Sequence, residues 1–239
     1  MDVAEGTYGQ LYDHFGTKEA VSQVLCHSRV LLITHIHGDH AFGIYKILLE
    51  RDRAMLHVPE NQRSPIYCVI PVLMVHSVEH FLANEVAMPL LIKVIPSSDF
   101  NPETQLYYAH LHKDVDPSVP YEERKANNVE KCPRVSKDEI NARISGFTST
   151  NALVGEMEAV MNEALGYQRL CMVEVNHCAE AYCAVLVSAE HGNILYSGDT
   201  IPCNTLWNYA QTARVLIHEA TLQVGMEEDA ARKMHTTTG

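Results

Sequence analysis

The sequence lacks three features that would each point to a particular class of protein. None of its apolar stretches approaches the roughly 20 residues of a membrane-spanning helix, so we expect no membrane span. Its seven cysteines form no Cys-x-x-Cys pair, which argues against a disulfide framework or a thiolate zinc site and favours a reducing, intracellular compartment. Positive charge is scarce, since the sequence has 18 Lys and Arg residues but 30 Asp and Glu residues. The net charge of −12 argues against broad affinity for nucleic acids.

One stretch joins an apolar run to a cluster of metal-binding side chains. Residues 31–34 have strand character, and His35, His37, Asp39 and His40 follow directly. Gly38 is expected to permit the sharp turn that lets these side chains converge. About two chains in a thousand of this composition would carry such a string by chance. The spacing therefore predicts that His35 and His37 share one ion while Asp39 and His40 face a second, with zinc favoured over manganese or iron(II).

The rest of the chain alternates strand and helix patterns, which predicts an α/β fold in one domain spanning residues 1–239. We predict strands at 31–34, 64–70, 90–95, 170–175, 182–188, 194–196 and 214–217. Helices are predicted at 8–15, 43–53, 73–82, 151–165 and 226–234. Thr7 and Asn151 are expected to cap the first and fourth of these helices, and residues 50–53 are expected to lie largely outside.

Residues 96–150 have no clear period and are interpreted as a surface insertion. Six basic residues occur in its second half, and acidic residues alternate with them. The basic residues are Arg124, Lys125, Lys131, Arg134, Lys137 and Arg143. Because the two signs are mixed, a solvated face is favoured there over an RNA-binding patch.

Three further polar segments follow predicted strands, where layered sheets place their sites. They contain His177, Asp199 and Glu219, and His235 follows the last predicted helix. His177 and Asp199 are interpreted as metal ligands. For Glu219 and His235, which lie at the ends of elements, helix capping is an alternative role.

These segments occur in an order that resembles tRNase Z. The chain is similar to the C-terminal half of the long, eukaryotic-type enzyme, a metallo-β-lactamase-fold endoribonuclease that removes 3′ trailers from precursor tRNA. The segments Glu5-Gly6-Thr7-Tyr8-Gly9 and His218-Glu219-Ala220-Thr221 point to this branch of the superfamily. The resemblance implies a four-layered αββα sandwich, here incomplete at both ends, and a location in the nucleus or mitochondrion.

The resemblance also implies a centre with two zinc ions and a role for each candidate residue. His35, His37 and His177 would hold one zinc, Asp39 and His40 the other, and Asp199 would bridge them. Asp39 would also orient the attacking water, so that metal-activated hydroxide attacks the phosphodiester. Glu219 and His235 resemble the family's acid pair, in which the imidazole protonates the departing 3′ oxygen.

The chain departs from the family pattern in two respects. A further histidine ligand of the second zinc is not found, and the N-terminal half of the long-form enzyme, expected as a partner beside precursor tRNA, is absent. We therefore expect a fragment that holds the first zinc better than the second, cleaves poorly and exposes apolar sheet. Two alternatives stay open: another phosphodiesterase or hydrolase of the same fold, and a non-catalytic partner half of a duplicated enzyme.

Overall fold

The structure is a computed structural model that describes residues 1–103 and 133–238. It divides into two compact units, and each unit is described by itself. The first comprises Met1–Asp99 and Asn151–Leu165, and the second comprises Phe100–Thr150 and Gly166–Gly239. Within the described residues, no helix has the length and apolar character needed to cross a membrane.

The first unit contains a parallel three-stranded sheet and six α-helices among its described elements. The strands are β1 (Val30–Leu32), β2 (Ile66–Ile70) and β3 (Ile92–Pro96), in the order β1-β2-β3. The helices are α1 (Thr7–Phe15), α2 (Lys18–His27), α3 (Gly38–Ala41), α4 (Ile44–Met55), α5 (Val72–Glu85) and α7 (Ala152–Leu165). Short 3-10 helices cover Glu60–Gln62 and Pro89–Leu91. The parallel sheet with crossover helices confirms the α/β prediction for this unit.

Helix α4 buries more of its surface than its sequence predicts. Its apolar stripe is buried as expected, but Glu50, Arg51 and Asp52 are only 6%, 1% and 5% exposed. The prediction that residues 50–53 lie largely outside is therefore wrong for these three residues, whereas Arg53 is exposed as predicted. The Asp52 carboxylate accepts hydrogen bonds from the backbone N–H groups of Ala87 and Met88, and Arg51 donates to the carbonyl of Ser64. Buried charge is tolerated here because polar partners replace water.

Two predicted helix caps have different outcomes. Thr7 does not cap α1, because Gly6 occupies the cap position and makes no side-chain hydrogen bond. Asn151 does cap α7, since its Oδ1 accepts from the backbone N–H of Leu153 at 3.0 Å. Within α7, Met157 and Met161 are buried as predicted, whereas Leu165 is 61% exposed.

The second unit contains a four-stranded sheet and three described α-helices. The strands are β4 (Arg169–Glu174), β5 (Tyr182–Val187), β6 (Asn193–Tyr196) and β7 (Ala213–Ile217), in the order β4-β5-β6-β7. The helices are α6 (Lys137–Gly146), α8 (Asn204–Ala210) and α9 (Glu227–Lys233), and a 3-10 helix covers Ser97–Phe100 at the boundary of the units. β5 and β6 correspond to the strands predicted at 182–188 and 194–196 and form a hairpin, in which Gly192 adopts the left-handed conformation that the turn requires.

The second half of the predicted insertion is not purely a surface segment. Ile140 and Ile144 of α6 are 0% and 4% exposed and pack in the core formed by β4, β5, β6 and α8. The sequence analysis did not predict α6 or α8. Both are short helices, and many of the residues around them in the sequence are polar. Residues 104–132, with Arg124, Lys125 and Lys131, lie outside the described residues.

Strand β7 exposes apolar side chains at the edge of the second sheet. Val215, Leu216 and Ile217 are 45%, 48% and 48% exposed, and β7 pairs with β6 alone among the described strands. Consecutive residues of a strand point to opposite faces, so both faces of β7 are uncovered. This agrees with the expectation of exposed apolar sheet.

Candidate metal centre

The predicted ligand loop of the first unit follows β1 and leads into α3. His35 is fully buried, and its ring centroid lies 4.7 Å from that of His37 and 4.2 Å from that of His40. Asp39 is 81% exposed at its side chain, and its Oδ2 lies 3.9 Å from Nε2 of His40. The loop therefore brings three imidazoles together and leaves the carboxylate at their open side.

Asp2 is the residue of this unit that sequence reasoning missed. Its Oδ1 accepts from the backbone N–H of Thr34 at 2.7 Å, and its Oδ2 accepts from the Thr34 hydroxyl at 2.9 Å. The same Oδ2 lies 3.0 Å from Nδ1 of His40. Burial raises the pKa of the Asp2 carboxyl, but its hydrogen bonds to His40 and Thr34 outweigh this and hold the pKa below its ordinary value.

These contacts set the tautomers of two candidate ligands. An ionised Asp2 can only accept, so Nδ1 of His40 carries the hydrogen and Nε2 becomes its ligand atom. The Thr34 hydroxyl gives its hydrogen to Asp2, so it accepts from Nδ1 of His35, 3.0 Å away. His35 therefore also presents Nε2 as its ligand atom. A carboxylate behind a ligating histidine is a common support of metal sites.

Replacing Asp2 by asparagine should lower the affinity for zinc by about tenfold to a hundredfold. The substitution keeps the side-chain shape but removes the charge that fixes His35 and His40. A competition titration of the metal-free chain against a chromophoric chelator measures the change. Asp13→Asn, which alters an exposed acid of α1, is the matched control. Equal zinc affinities for the two variants would show that Asp2 does not support the ligands.

Gly38 has a different role from the one predicted. It begins α3 and is not among the residues with positive φ, so the loop does not depend on a left-handed turn there. A Cβ atom at this position would instead lie 3.0 Å from the ring of Phe42. A side chain at position 38 would therefore press against the Phe42 ring.

In the second unit, His177 and Asp199 lie close together, as predicted. His177 is 2% exposed at its side chain, and its Nε2 lies 3.9 Å from Oδ2 of Asp199. The backbone carbonyl of Met234 lies 2.8 Å from His177 Nδ1 and can only accept, so Nδ1 carries the hydrogen and Nε2 is the ligand atom. Gly198 has a φ of +58°, a left-handed turn that precedes Asp199.

Glu219 and His235 form a hydrogen-bonded pair in the same unit. Nδ1 of His235 lies 3.1 Å from Oε1 of Glu219. Backbone N–H groups of Thr200, Thr221 and Thr236 and the Thr221 hydroxyl also donate to this carboxylate, at 2.7, 3.2, 3.2 and 2.6 Å. Burial raises the pKa of the Glu219 carboxyl, but these threonine donors and His235 outweigh it and hold the pKa below its ordinary value. Neither side chain caps a helix.

The donors of both units suit a divalent metal of the zinc type. The candidate atoms of His177, Asp199 and His235 all lie within 4.8 Å of one another. Donors around one zinc are separated by about 3 to 4 Å, given bonds of about 2.0–2.2 Å. His235 is set apart, because its Nδ1 is the atom nearest Asp199, at 3.8 Å, and that nitrogen gives its hydrogen to Glu219. In this unit, His177 therefore presents Nε2 beside Asp199, whereas Nδ1 of His235 is hydrogen-bonded to Glu219.

Comparisons with known proteins agree with the resemblance seen in the sequence. No family model matches the chain. It is 27% identical over 238 residues to mouse "Zinc phosphodiesterase ELAC protein 2" and 28% identical over 260 residues to "tRNAse Z TRZ4, mitochondrial" of Arabidopsis thaliana. These matches cover 100% of this chain but only 23% and 26% of the relatives, so the chain spans about a quarter of their length.

Solved structures show the same relationship. The chain superposes on a long form RNase Z from yeast with a TM-score of 0.69 and 26% identity, covering 99% of this chain and 29% of that one. A metallo-β-lactamase fold protein, YhfI of Bacillus subtilis, has a TM-score of 0.54 and 10% identity, covering 99% and 64% of the two chains.

The chain therefore has the metallo-β-lactamase fold, with histidine and aspartate side chains grouped as in a metal site. Within that class, it is similar to a long form RNase Z from yeast and to a plant protein named as a tRNAse Z.

Proposed function

We propose that this chain carries the catalytic residues of a zinc-dependent endoribonuclease that removes the 3′ trailer from precursor tRNA. The proposed zinc ligands are His35, His37, Asp39 and His40 in the first unit and His177 and Asp199 in the second. Glu219 and His235 would form the acid pair. Asp39 would orient the attacking water.

The observation that carries this proposal is the hydrogen bond between Glu219 and His235, beside Asp199. Nδ1 of His235 lies 3.1 Å from Glu219 and 3.8 Å from Asp199. This hydrogen bond keeps the hydrogen of His235 on Nδ1, so Nε2 is the nitrogen that is free to exchange a proton with a substrate. Similarity to relatives with nuclease names supports the assignment to RNA.

The residues present account for proton transfer to the leaving group. Zinc, when bound, would polarise the scissile phosphate and lower the pKa of a water molecule. The ionised Glu219 keeps the hydrogen of His235 on Nδ1, so only Nε2 gains and loses the mobile proton. A protonated His235 would then donate from Nε2 to the departing 3′ oxygen, leaving a 3′ hydroxyl on the tRNA.

Chelation should abolish trailer removal, and added zinc should restore it. The assay uses the purified chain, a precursor tRNA with a labelled 3′ trailer and a chromogenic phosphodiester, with bound zinc counted by mass spectrometry. We expect release of the trailer only when zinc is bound. Trailer removal that persists after complete chelation would contradict the proposal.

Other results would favour the alternatives. Hydrolysis of the chromogenic ester without cleavage of precursor tRNA would indicate another phosphodiesterase of this fold. Bound zinc without either activity would indicate a non-catalytic half. Precursor tRNA, the other half of a long-form enzyme and a location in the nucleus or mitochondrion stay predictions, although one relative is named as mitochondrial.

A further inference from the structure

An arginine lies over the single tryptophan of the chain, on the surface of the second unit. Cζ of Arg134 is 4.7 Å from the centre of the Trp207 ring, and Trp207 is 42% exposed. A guanidinium at this distance is attracted to the face of the indole ring. The contact therefore places the guanidinium of Arg134 against an exposed aromatic ring.

Hydrogen bonds fix this cation further. Nε of Arg134 donates to Oδ1 of Asn204 at 3.1 Å. On either side of Arg134, the carbonyl of Pro133 accepts from the side-chain amide of Asn208, and the N–H of Val135 donates to Oδ1 of Asn208, both at 3.0 Å. Since Asn204 and Asn208 belong to α8, the helix that carries Trp207 also anchors the backbone around Arg134. The arginine is thus ordered before any ligand arrives.

Arg134 has no acidic partner among the residues that the structure describes, and it is the described arginine of its unit that lies over an aromatic ring. Arg143 is paired with Glu103 and Glu139, and Arg232 with Asp229. The terminal nitrogens of Arg134 make no hydrogen bond within the described ranges, and its side chain is exposed. An ordered guanidinium with two nitrogens on its outer edge matches a phosphate group, which it can bind through two parallel hydrogen bonds.

We propose that Arg134, stacked on Trp207, binds a backbone phosphate of the RNA substrate. This inference rests on the proposed function. Helix α8 begins five residues after Asp199 in the same unit, so the contact belongs to the unit that carries the proposed acid pair. Because the chain has a net charge of −12, long-range attraction for RNA is weak and such short-range contacts have to supply binding. For the basic residues of 96–150, the sequence favours a solvated face over an RNA-binding patch. The present proposal departs from that prediction for Arg134 alone.

Binding of labelled precursor tRNA over a series of salt concentrations tests the inference, in a His235→Ala background that prevents turnover. Arg134→Gln should weaken binding about tenfold and reduce the slope of log K against log salt by about 0.7–0.9, the value for one phosphate contact. Arg134→Lys keeps the charge but loses the stacking and the paired donors, so it should bind weakly with a nearly unchanged slope. Arg214→Gln, at an exposed arginine of the same unit without a stacked ring, should bind like the parent.

Cleavage of the chromogenic phosphodiester by the same variants, with His235 intact, separates binding from folding. It should be unchanged in Arg134→Gln, and a parallel loss of this activity would overturn the inference in favour of a structural role. Equal RNA affinities of Arg134→Gln and Arg214→Gln would overturn it while the proposed function stands. Failure of the parent to bind and cleave precursor tRNA would overturn both.

Discussion

Replacing Asp199 by asparagine is expected to lower kcat/KM for precursor tRNA by at least about a thousandfold, which corresponds to about 4 kcal/mol of transition-state stabilisation. Asparagine has the same shape as aspartate but is neutral, so it cannot supply the anionic oxygens that a bridging ligand needs. The carboxylate lies 3.9 Å from Nε2 of His177, and loss of its charge should also release zinc. Steady-state kinetics and metal analysis of the purified variant measure both effects.

Asp229→Asn is the matched control, because it removes an acid of the same unit that pairs with Arg232 on the surface. It should retain zinc and activity. A variant at Asp199 that kept both would remove the case for this residue as a ligand.

His37 and Asp199 belong to separate segments of the chain, and the sequence predicts that both bind metal in one catalytic centre. A double variant tests this prediction. The single variant His37→Ala should lose activity. The double variant, His37→Ala with Asp199→Asn, should have an activity only slightly below that of the less active single variant. Residues that act as a unit show such non-additive effects. Losses that multiply would indicate that the two positions act independently.

Replacing His235 by alanine is expected to lower kcat by about a hundredfold to ten-thousandfold while the zinc content stays unchanged. The variant lacks the group that protonates the leaving oxygen but keeps His177 and Asp199. Steady-state cleavage rates, with metal analysis on the same samples, measure these effects.

Glu219→Gln provides a second test of the acid pair. Glutamine accepts the hydrogen bond of His235 but cannot stabilise its protonated form, so activity should fall without loss of zinc. Loss of zinc together with activity in His235→Ala would instead make His235 a ligand, since its Nδ1 lies 3.8 Å from Asp199.

Much of the secondary structure could be predicted, because it follows from local periodicity. The helix predicted at 43–53 corresponds to α4, with Ile44, Ile47 and Leu48 on its buried side, and the strands predicted at 182–188 and 194–196 correspond to β5 and β6. The same reasoning failed for Arg51, since a charged residue is expected in water unless distant partners are known. Its acceptor, the carbonyl of Ser64, belongs to another segment.

By itself, the sequence determined which side chains are available to bind a metal and which of them follow the ends of strands, because ligand spacing and strand patterns are local properties. The tertiary structure decided which nitrogen of His35, His40 and His177 carries its hydrogen, and that Glu219 binds His235. These choices depend on partners far away in the chain, such as Asp2 for His40 and Met234 for His177. Only folding places such partners within hydrogen-bond distance.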